Sequence, residues 1–416
     1  MPGFDAKRFE PKILAGLFVY ISPAMKFFDV AIIGASISGA TLAACLGMES
    51  LAVALIDKDR FPRRKACGEG LSNVALHALD RMGFETEKAT GTGMPYFAYR
   101  MDIGSRSFEF ASGRDRHLKG VGIQRMLLDQ VILDRASNLP PVSSYLETSA
   151  TQIERSGPGF ALSLSSGDQI TARHLVLADG ANSKTASKLG VPVRRKAPPL
   201  WGISFILEGT FHQTTGEVLV LLKDGFEINC TPVSKNRLNI TFLSSREQVK
   251  PLQDPGFRDR LLAEAAEKSF FTGKPIEKPL QVGPVSAARR PYVHDGIMLV
   301  GDAAENLDPV AGMGMTHGIL MAEIAAQSLL SISQGGKSPE SAFSQYSILA
   351  ERMSRPYRGF TRLTASLLRS PARRILLPPL SSTFLPGMIR SALDDAPSEI
   401  PLAAFLPRQF LSLVGA

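Results

Sequence analysis

Glycine and acidic residues recur in this chain just where it leaves a run of β-branched or aliphatic residues. In the most informative such stretch, residues 299–315, Gly301-Asp302 closes an apolar run and Pro309 marks a turn. Gly312-Met313-Gly314-Met315 then leads into further apolar sequence. A carboxylate only accepts hydrogen bonds, so Asp302 suits a ligand hydroxyl, and Gly312 and Gly314 lack side chains that would keep a flat ligand off the backbone. The elements that must position them are a buried parallel strand over residues 297–300 and a helix over 316–330. The first N–H groups of that helix have no partner inside it and carry partial positive charge, which favours an anionic ligand group.

Nearer the start, Gly34-Ala-Ser36-Ile37-Ser38-Gly39 follows the β-branched run 28–33 and opens an alanine-rich stretch, and a second run, 52–56, ends in Asp57-Lys58. This is the pattern of a βαβ dinucleotide-binding unit. Gly34 makes the tight turn, small Ser36 lets a pyrophosphate approach the helix N-terminus, and Gly39 lets helix and strand pack closely. Asp57 stands where a carboxylate reaches the adenosine ribose. The basic loop Arg60-Phe-Pro-Arg63-Arg64-Lys65 runs into Cys67-Gly68-Glu69-Gly70, with cations suited to phosphates and a turn suited to a ring system. Arg125 falls in the first turn of a helix predicted from Gln124 to about 136. Asp179-Gly180 ends a strand over 174–178, the end at which open α/β sheets bind ligands.

These elements predict an α/β fold: a Rossmann-like nucleotide-binding domain, an interleaved and mostly antiparallel β-sheet substrate domain, and a helical C-terminal region. The expected division is an N-terminal extension (1–25), nucleotide-binding segments (26–93, 113–195 and 285–345), a hairpin (94–112) and the main sheet (196–284) of the substrate domain, and a basic, Pro-rich C-terminal region (346–416). Residues 13–21 form an apolar run too short to span a bilayer. Since Met25-Lys26 directly precedes the βαβ unit, residues 1–24 read as an extension or an upstream start. Between Pro356 and Pro371, Arg358, Arg362 and Arg369 share one helical face and Phe360, Leu363 and Leu367 the opposite one. Such a helix either rests on an anionic membrane or docks its apolar face on the protein.

Cys45, Cys67 and Cys230 are too few and too scattered for a disulfide framework or a zinc site, and the six histidines form no ligand pair at helical spacing. No metal is expected, and a reducing, cytoplasmic setting is, with membrane-peripheral placement tied to the basic helix. The net charge of +8 is modest for 416 residues; no nucleic-acid partner is expected.

The ordered trio Gly34-x-Ser36-x-x-Gly39 with Asp57, Asp179-Gly180-Ala-Asn-Ser183, and Gly301-Asp302-Ala-Ala with Pro309 and Gly312-x-Gly314 resembles the FAD-dependent monooxygenases of the para-hydroxybenzoate hydroxylase fold. Geranylgeranyl reductases and flavin-dependent halogenases share that fold. The resemblance spans about residues 28–330 and implies FAD as cofactor. Residues 34–39 would hold its pyrophosphate, Asp57 and Lys58 would stand at the adenosine ribose, and Asp302 would take the ribityl chain. Pro309 and Gly312–Met315 would border the isoalloxazine, with Cys67 and Gly68 beside the ring. Arg125 would face the phosphates or ribityl chain, and Asp179 and Gly180 would serve FAD and a reduced nicotinamide. The family's arginine after Ser183 is replaced by Ala186, with Lys184 and Lys188 nearby. The reductant therefore stays open between NADPH or NADH and a separate electron donor.

Trp201 is the single tryptophan, so the Trp-x-Trp-x-Ile-Pro segment of the halogenases is absent. Cys67-Gly-Glu-Gly-Leu-Ser72 is similar to a turn of the geranylgeranyl reductases, whereas residues 225–232 lack the tryptophan those enzymes carry there. The expected function is hydroxylation or epoxidation of a small apolar aromatic, polyketide or isoprenoid substrate through a flavin C4a-hydroperoxide. The alternative is hydride transfer to a C=C bond of a lipidic substrate. No residue is identified as catalytic; Glu227, Glu305 and Asp308 are the nearest carboxylates, read as solvated or capping.

Overall fold

The computed structural model describes residues 25–370 apart from 87–89, 112–117, 196–197, 214–215 and 224. The N-terminal extension, Arg373, Arg374 and the apolar stretch 405–414 lie outside the described residues. Lys26–Ile33 carries aliphatic residues on both faces and is accordingly buried on both, between Val53–Ile56 and Gln169–Leu177. The sheet runs Val293–His294, Ile297–Leu299, Gln169–Leu177, Lys26–Ile33, Val53–Ile56, Val142–Tyr145, parallel except for the first strand, and a hairpin of Ala150–Ser156 and Gly159–Leu164 is added antiparallel to Gln169–Leu177. Ile33 pairs with both Ile56 and Leu177, and Leu177 with Leu299. The loops carrying Gly34, Asp57, Asp179 and Gly301 therefore leave one sheet edge side by side.

Helices Ile37–Met48 and Gly314–Ser333 pack against each other over this edge through small residues. A methyl group on Gly301, in the turn before the second helix, or on Gly318 would lie 2.4 Å from Ser38 Oγ, so the Ser38 hydroxyl occupies the space that both glycines leave open. Both helices match the predicted ones, the second being extended by a few residues at each end.

The second large sheet runs Phe271–Pro275, Leu200–Phe211, Arg237–Ser244, Phe226–Ser234, Glu217–Lys223, Ala98–Ile103, Arg106–Ala111. The expected hairpin joins it through a parallel pairing of Ala98–Ile103 with Glu217–Lys223. One face packs Ile203, Phe205, Leu219, Leu221, Ile228, Cys230, Ile240 and Phe242 against helix Pro255–Lys268 as a separate core. Alternation along the strands sends the intervening residues to the other face, toward the nucleotide-binding body.

The long helix Pro339–Arg369 ties the body together: Tyr346 donates to the Leu299 carbonyl at 2.6 Å, and Ser354 bonds His317 Nε2 at 2.8 Å. Phe360, Leu363 and Leu367 are buried as the docking alternative requires, but the opposite face is not simply solvated. Arg358 meets Glu305 at 2.5 Å and Glu351 at 3.0 Å, and Arg369 meets Asp308 with two bonds of 2.7 Å. Of the three arginines, Arg362 is left facing outward with no such pair. The helical wheel could not show that acids on other elements reach round to the remaining two, and a membrane role for this face gains no support. Among the described residues no helix is long and apolar enough to cross a membrane.

Glu305 is buried and shared by Arg358 and by the Tyr292 hydroxyl at 2.7 Å. Replacing Arg358 by methionine strands that carboxylate; chemical denaturation at neutral pH is expected to show a loss of roughly 3–5 kcal/mol.

Candidate active site

The loops at the aligned edge build the site. Gly34, at φ +109°, is in a conformation open mainly to glycine, and its Cα stands so close to the Ala178 carbonyl that a Cβ would lie 2.4 Å from it. Asp57 braces this turn: its two carboxylate oxygens accept from Ala35 N–H at 2.7 Å and Asp59 N–H at 2.9 Å. Lys58 points to solvent and pairs with Asp59.

Helix N-termini separate the site from the rest of the fold. Ser72, Ser183, Ser245, Asp254 and Ser338 each cap their helix with a side-chain oxygen, whereas the helices opening at Ser36, Gln124 and Met313 have no side-chain cap of their own; at Gln124 the Glu69 carboxylate takes the Arg125 N–H instead. The Ser36 hydroxyl is diverted instead to Asp129 Oδ2 and Arg125 Nη2, both at 3.0 Å. Arg125 is buried and held by Asp129 at 2.8 Å. Its positive charge, and then burial, lower the pKa of Lys65, opposed by Asp302 and Asp129, so the end of the basic loop faces this cluster. Ile37 is buried beneath the turn, and Ser38 packs toward Gly301 and Gly318 rather than outward.

Unpartnered acceptors lie along the same edge. Asp179 Oδ1 is buried without a partner, and burial raises that carboxyl's pKa against hydrogen bonds from Ser183 and Thr185. Asp302, half-buried beside Gly314, has no hydrogen-bond partner among the described residues. The two helix N-termini at Ser36 and Met313, to which no side chain is bonded as a cap, and two free carboxylate acceptors suit a ligand that brings both anionic and hydroxyl groups, which is the chemistry of FAD. Pro309 and Gly312–Met315 form the turn into the second helix, with Asp308 capping the short Pro309–Ala311 turn through Val310 N–H at 3.1 Å. No group of metal ligands is present among the described residues.

The second large sheet closes over this edge. Its strand register places Ser204, Thr241, Asn229 and Glu227, with Asn239 and Thr231, on adjoining strands of the inward face. The Cys67 carbonyl accepts from Asn239 Nδ2 at 2.8 Å and Thr241 Oγ1 at 3.1 Å, fixing the Cys67–Ser72 turn to the sheet. Glu69 in that turn is 7 % exposed; Oε1 accepts the Arg125 N–H at 3.2 Å, whereas Oε2 is buried without a partner. Burial raises its pKa to about 7, opposed by Asn239 and Arg125.

Of the three suggested carboxylates, Asp308 caps as read, Glu305 is a buried ion pair, and Glu227 is buried rather than solvated. Sequence reading missed Arg290. Ala186, where the family carries an arginine, is fully buried, and Arg290, just past the short strand Ala288–Arg289, donates to the Ala303 carbonyl at 3.0 Å and the Ala181 carbonyl at 3.1 Å. It thereby stitches the Asp179 and Asp302 loops together. The doubled Arg289-Arg290 was visible, but no spacing rule tied it to residue 181.

A family model described as an FAD binding domain matches residues 28–356. The chain belongs to this FAD-binding family. It is an FAD-dependent oxidoreductase of the monooxygenase family, with the para-hydroxybenzoate hydroxylase fold. It is 30 % identical over 332 residues to ubiquinone hydroxylase UbiL of Rhodospirillum rubrum, covering 76 % of this chain and 75 % of that one. It is also 25 % identical to a menaquinone reductase of Mycobacterium tuberculosis, over 82 % of this chain and 84 % of that one. Among solved structures, a geranylgeranyl bacteriochlorophyll reductase-like protein of Thermoplasma acidophilum superposes with a TM-score of 0.73 at 18 % identity, covering 94 % of this chain and all of that one, a likeness of fold.

For Glu69 the folded pKa of about 7 exceeds the carboxyl value of 4.5, so the folded state binds more protons than the unfolded. The corresponding stability is fully present below pH 4.5 and is lost as pH rises through about 7. Glu69→Gln keeps the Oε1 acceptor and removes the charge. Thermal melts of the flavin-free protein are expected to show it more stable than wild type at pH 8, by on the order of 2 kcal/mol, and equal at pH 4.5.

Proposed function

We propose that this flavoprotein hydroxylates a small amphiphilic compound with a polar, hydroxyl-bearing ring and an aliphatic, isoprenoid-like tail. The observation that carries the reading is the division of the sheet's inward face. Ser204, Thr241, Asn239, Asn229, Thr231 and Glu227 form a polar half. Val218, Val220, Leu222, Tyr99, Met101 and Ile103, on the adjoining strands, form an apolar half. A ring with oxygen substituents matches the first and a hydrocarbon tail the second. The names of the ubiquinone hydroxylase and menaquinone reductase relatives agree with a substrate of this shape.

FAD, reduced by NADPH, NADH or a separate donor, would supply the oxygen-activating chemistry. The uncapped N-terminus at Ser36 would receive its pyrophosphate, Asp57 and Lys58 would stand near the adenosine, and Arg125 and Lys65 would offset phosphate charge. Asp302 would accept from a ribityl hydroxyl, and Asp179 and Gly180 would line the approach to it. Cys67, Gly68, Pro309 and Gly312–Met315 would border the ring, where the free N–H groups of Gly314–Ser333 favour negative charge. The substrate sheet excludes water from the space between.

Reconstituted with FAD and given NADPH and a phenol carrying a short isoprenoid chain, the protein is expected to consume oxygen in step with a product heavier by one oxygen atom. Flavin that is reduced and reoxidised with no oxygenated product would count against the reading. The likeness of the Cys67–Ser72 turn to the reductases keeps hydride transfer to a C=C bond as the second reading; saturated product formed without oxygen would establish it. Because Asp302 has no hydrogen-bond partner among the described residues, Asp302→Ala is expected to change the flavin-free melting temperature little while weakening FAD about 10- to 100-fold in a fluorescence titration.

A further inference from the structure

Glu227 occupies a position that neither the fold nor the cofactor needs. It lies on the inward face of the sheet, paired across to Leu222 on one side and Leu243 on the other, at the border between the polar and apolar halves. It is 8 % exposed, and the hydrogen bond it is given comes from Asn229 Nδ2 at 3.0 Å. The charges facing it are those of Asp308 and Arg369. These two are matched with each other by two bonds of 2.7 Å, so the guanidinium is committed to Asp308 rather than to Glu227. Asp308 opens the Pro309–Met315 turn, which puts this carboxyl opposite the ring end of the site. Burying an ionisable side chain without a counter-ion of its own costs stability, and the single bond from Asn229 offsets only part of that cost.

We infer that Glu227 is the catalytic base of the proposed hydroxylation, accepting the proton of the substrate's ring hydroxyl. The inference rests on the amphiphilic-substrate reading above. In the step, the substrate O–H bond breaks, the proton passes to a Glu227 carboxylate oxygen, and the electron pair stays on the ring oxygen. Delocalised into the ring, that pair makes the adjacent carbon nucleophilic: its C–O bond would form to one atom of O2 as the O–O bond breaks, the other atom leaving as water with the two electrons and two protons of reduced FAD, so that the ring C–H becomes C–OH. The tail then lies over Leu222, Val220 and Met101, while Asn229 holds the carboxyl. Burial raises the Glu227 pKa to about 7, opposed by Asn229 and Arg369 and reinforced by Asp308, so the basic form appears as pH rises past neutrality.

The test compares wild type, Glu227→Gln, Glu227→Asp and Glu69→Gln, all loaded with FAD, using a phenol with an ortho isoprenoid chain. Wild-type hydroxylation should rise with pH to a plateau above about pH 7. Glu227→Gln should lose that rising limb and fall 10²- to 10⁴-fold in rate, while still binding the phenol as judged by perturbation of the flavin visible spectrum. Glu227→Asp should recover part of the rate with the limb restored, and the limb should persist in Glu69→Gln whatever its rate. A Glu227→Gln enzyme that hydroxylates within about tenfold of wild type with its limb intact overturns the assignment, as does a limb that disappears in Glu69→Gln alone. A wild-type enzyme that binds the phenol and makes no oxygenated product overturns the hydroxylase reading, and this inference with it.

Discussion

The alignment of four strand ends is the constraint on which the rest depends. Because Ile33 is in register with Ile56 and Leu177, and Leu177 with Leu299, four loops far apart in sequence emerge as neighbours. None of them has to travel to reach the others. The two helices that follow Gly34 and Met313 point their N-termini to this edge, and omission of their side-chain caps leaves N–H groups for a ligand. A slip of one pairing by a residue would turn a face of the sheet inside out and carry one loop out of the set.

The second constraint is the seam between the two sheets. A single carbonyl, that of Cys67, accepts from Asn239 and Thr241 of the substrate sheet, and a Cβ on Gly122 would sit 1.9 Å from the Pro232 carbonyl. Backbone contact this close makes the seam a fixed wall. The polar residues near Glu69 are therefore already oriented, which favours a binding surface that needs little rearrangement.

Much of this was legible in local sequence. The Gly34 turn, the helices that follow Gly39 and Met315, and the strands ending at Asp57, Asp179 and Gly301 all signal within a window of a few residues, because turn geometry and hydrophobic period are local properties. What was not legible depends on partners distant in sequence. Arg290 does its work through carbonyls of Ala181 and Ala303, and backbone acceptors leave no mark in a sequence. Arg358 and Arg369 lie on a well-read amphipathic helix, yet acids on other elements decide their environment. Glu227 differs from an ordinary exposed strand acid only through sheet register and the surface that covers it.

Ser38, Gly301 and Gly318 carry a consequence for how this chain can vary. A methyl at 318 would be 2.4 Å from the Ser38 hydroxyl but 3.7 Å from its Cβ, an ordinary contact. Gly318→Ala thus forces the Ser38 side chain to shift while its hydroxyl is present and fits without that shift once Ser38 has become alanine. Gly301 stays closed in either background, since its φ of +62° is left-handed and the Ser38 Cβ is already 3.0 Å from where a methyl would go. Substitutions at this crossing therefore have a preferred order: losing the Ser38 hydroxyl first removes the contact that a methyl at 318 would otherwise meet, so the effect of the second change depends on the first.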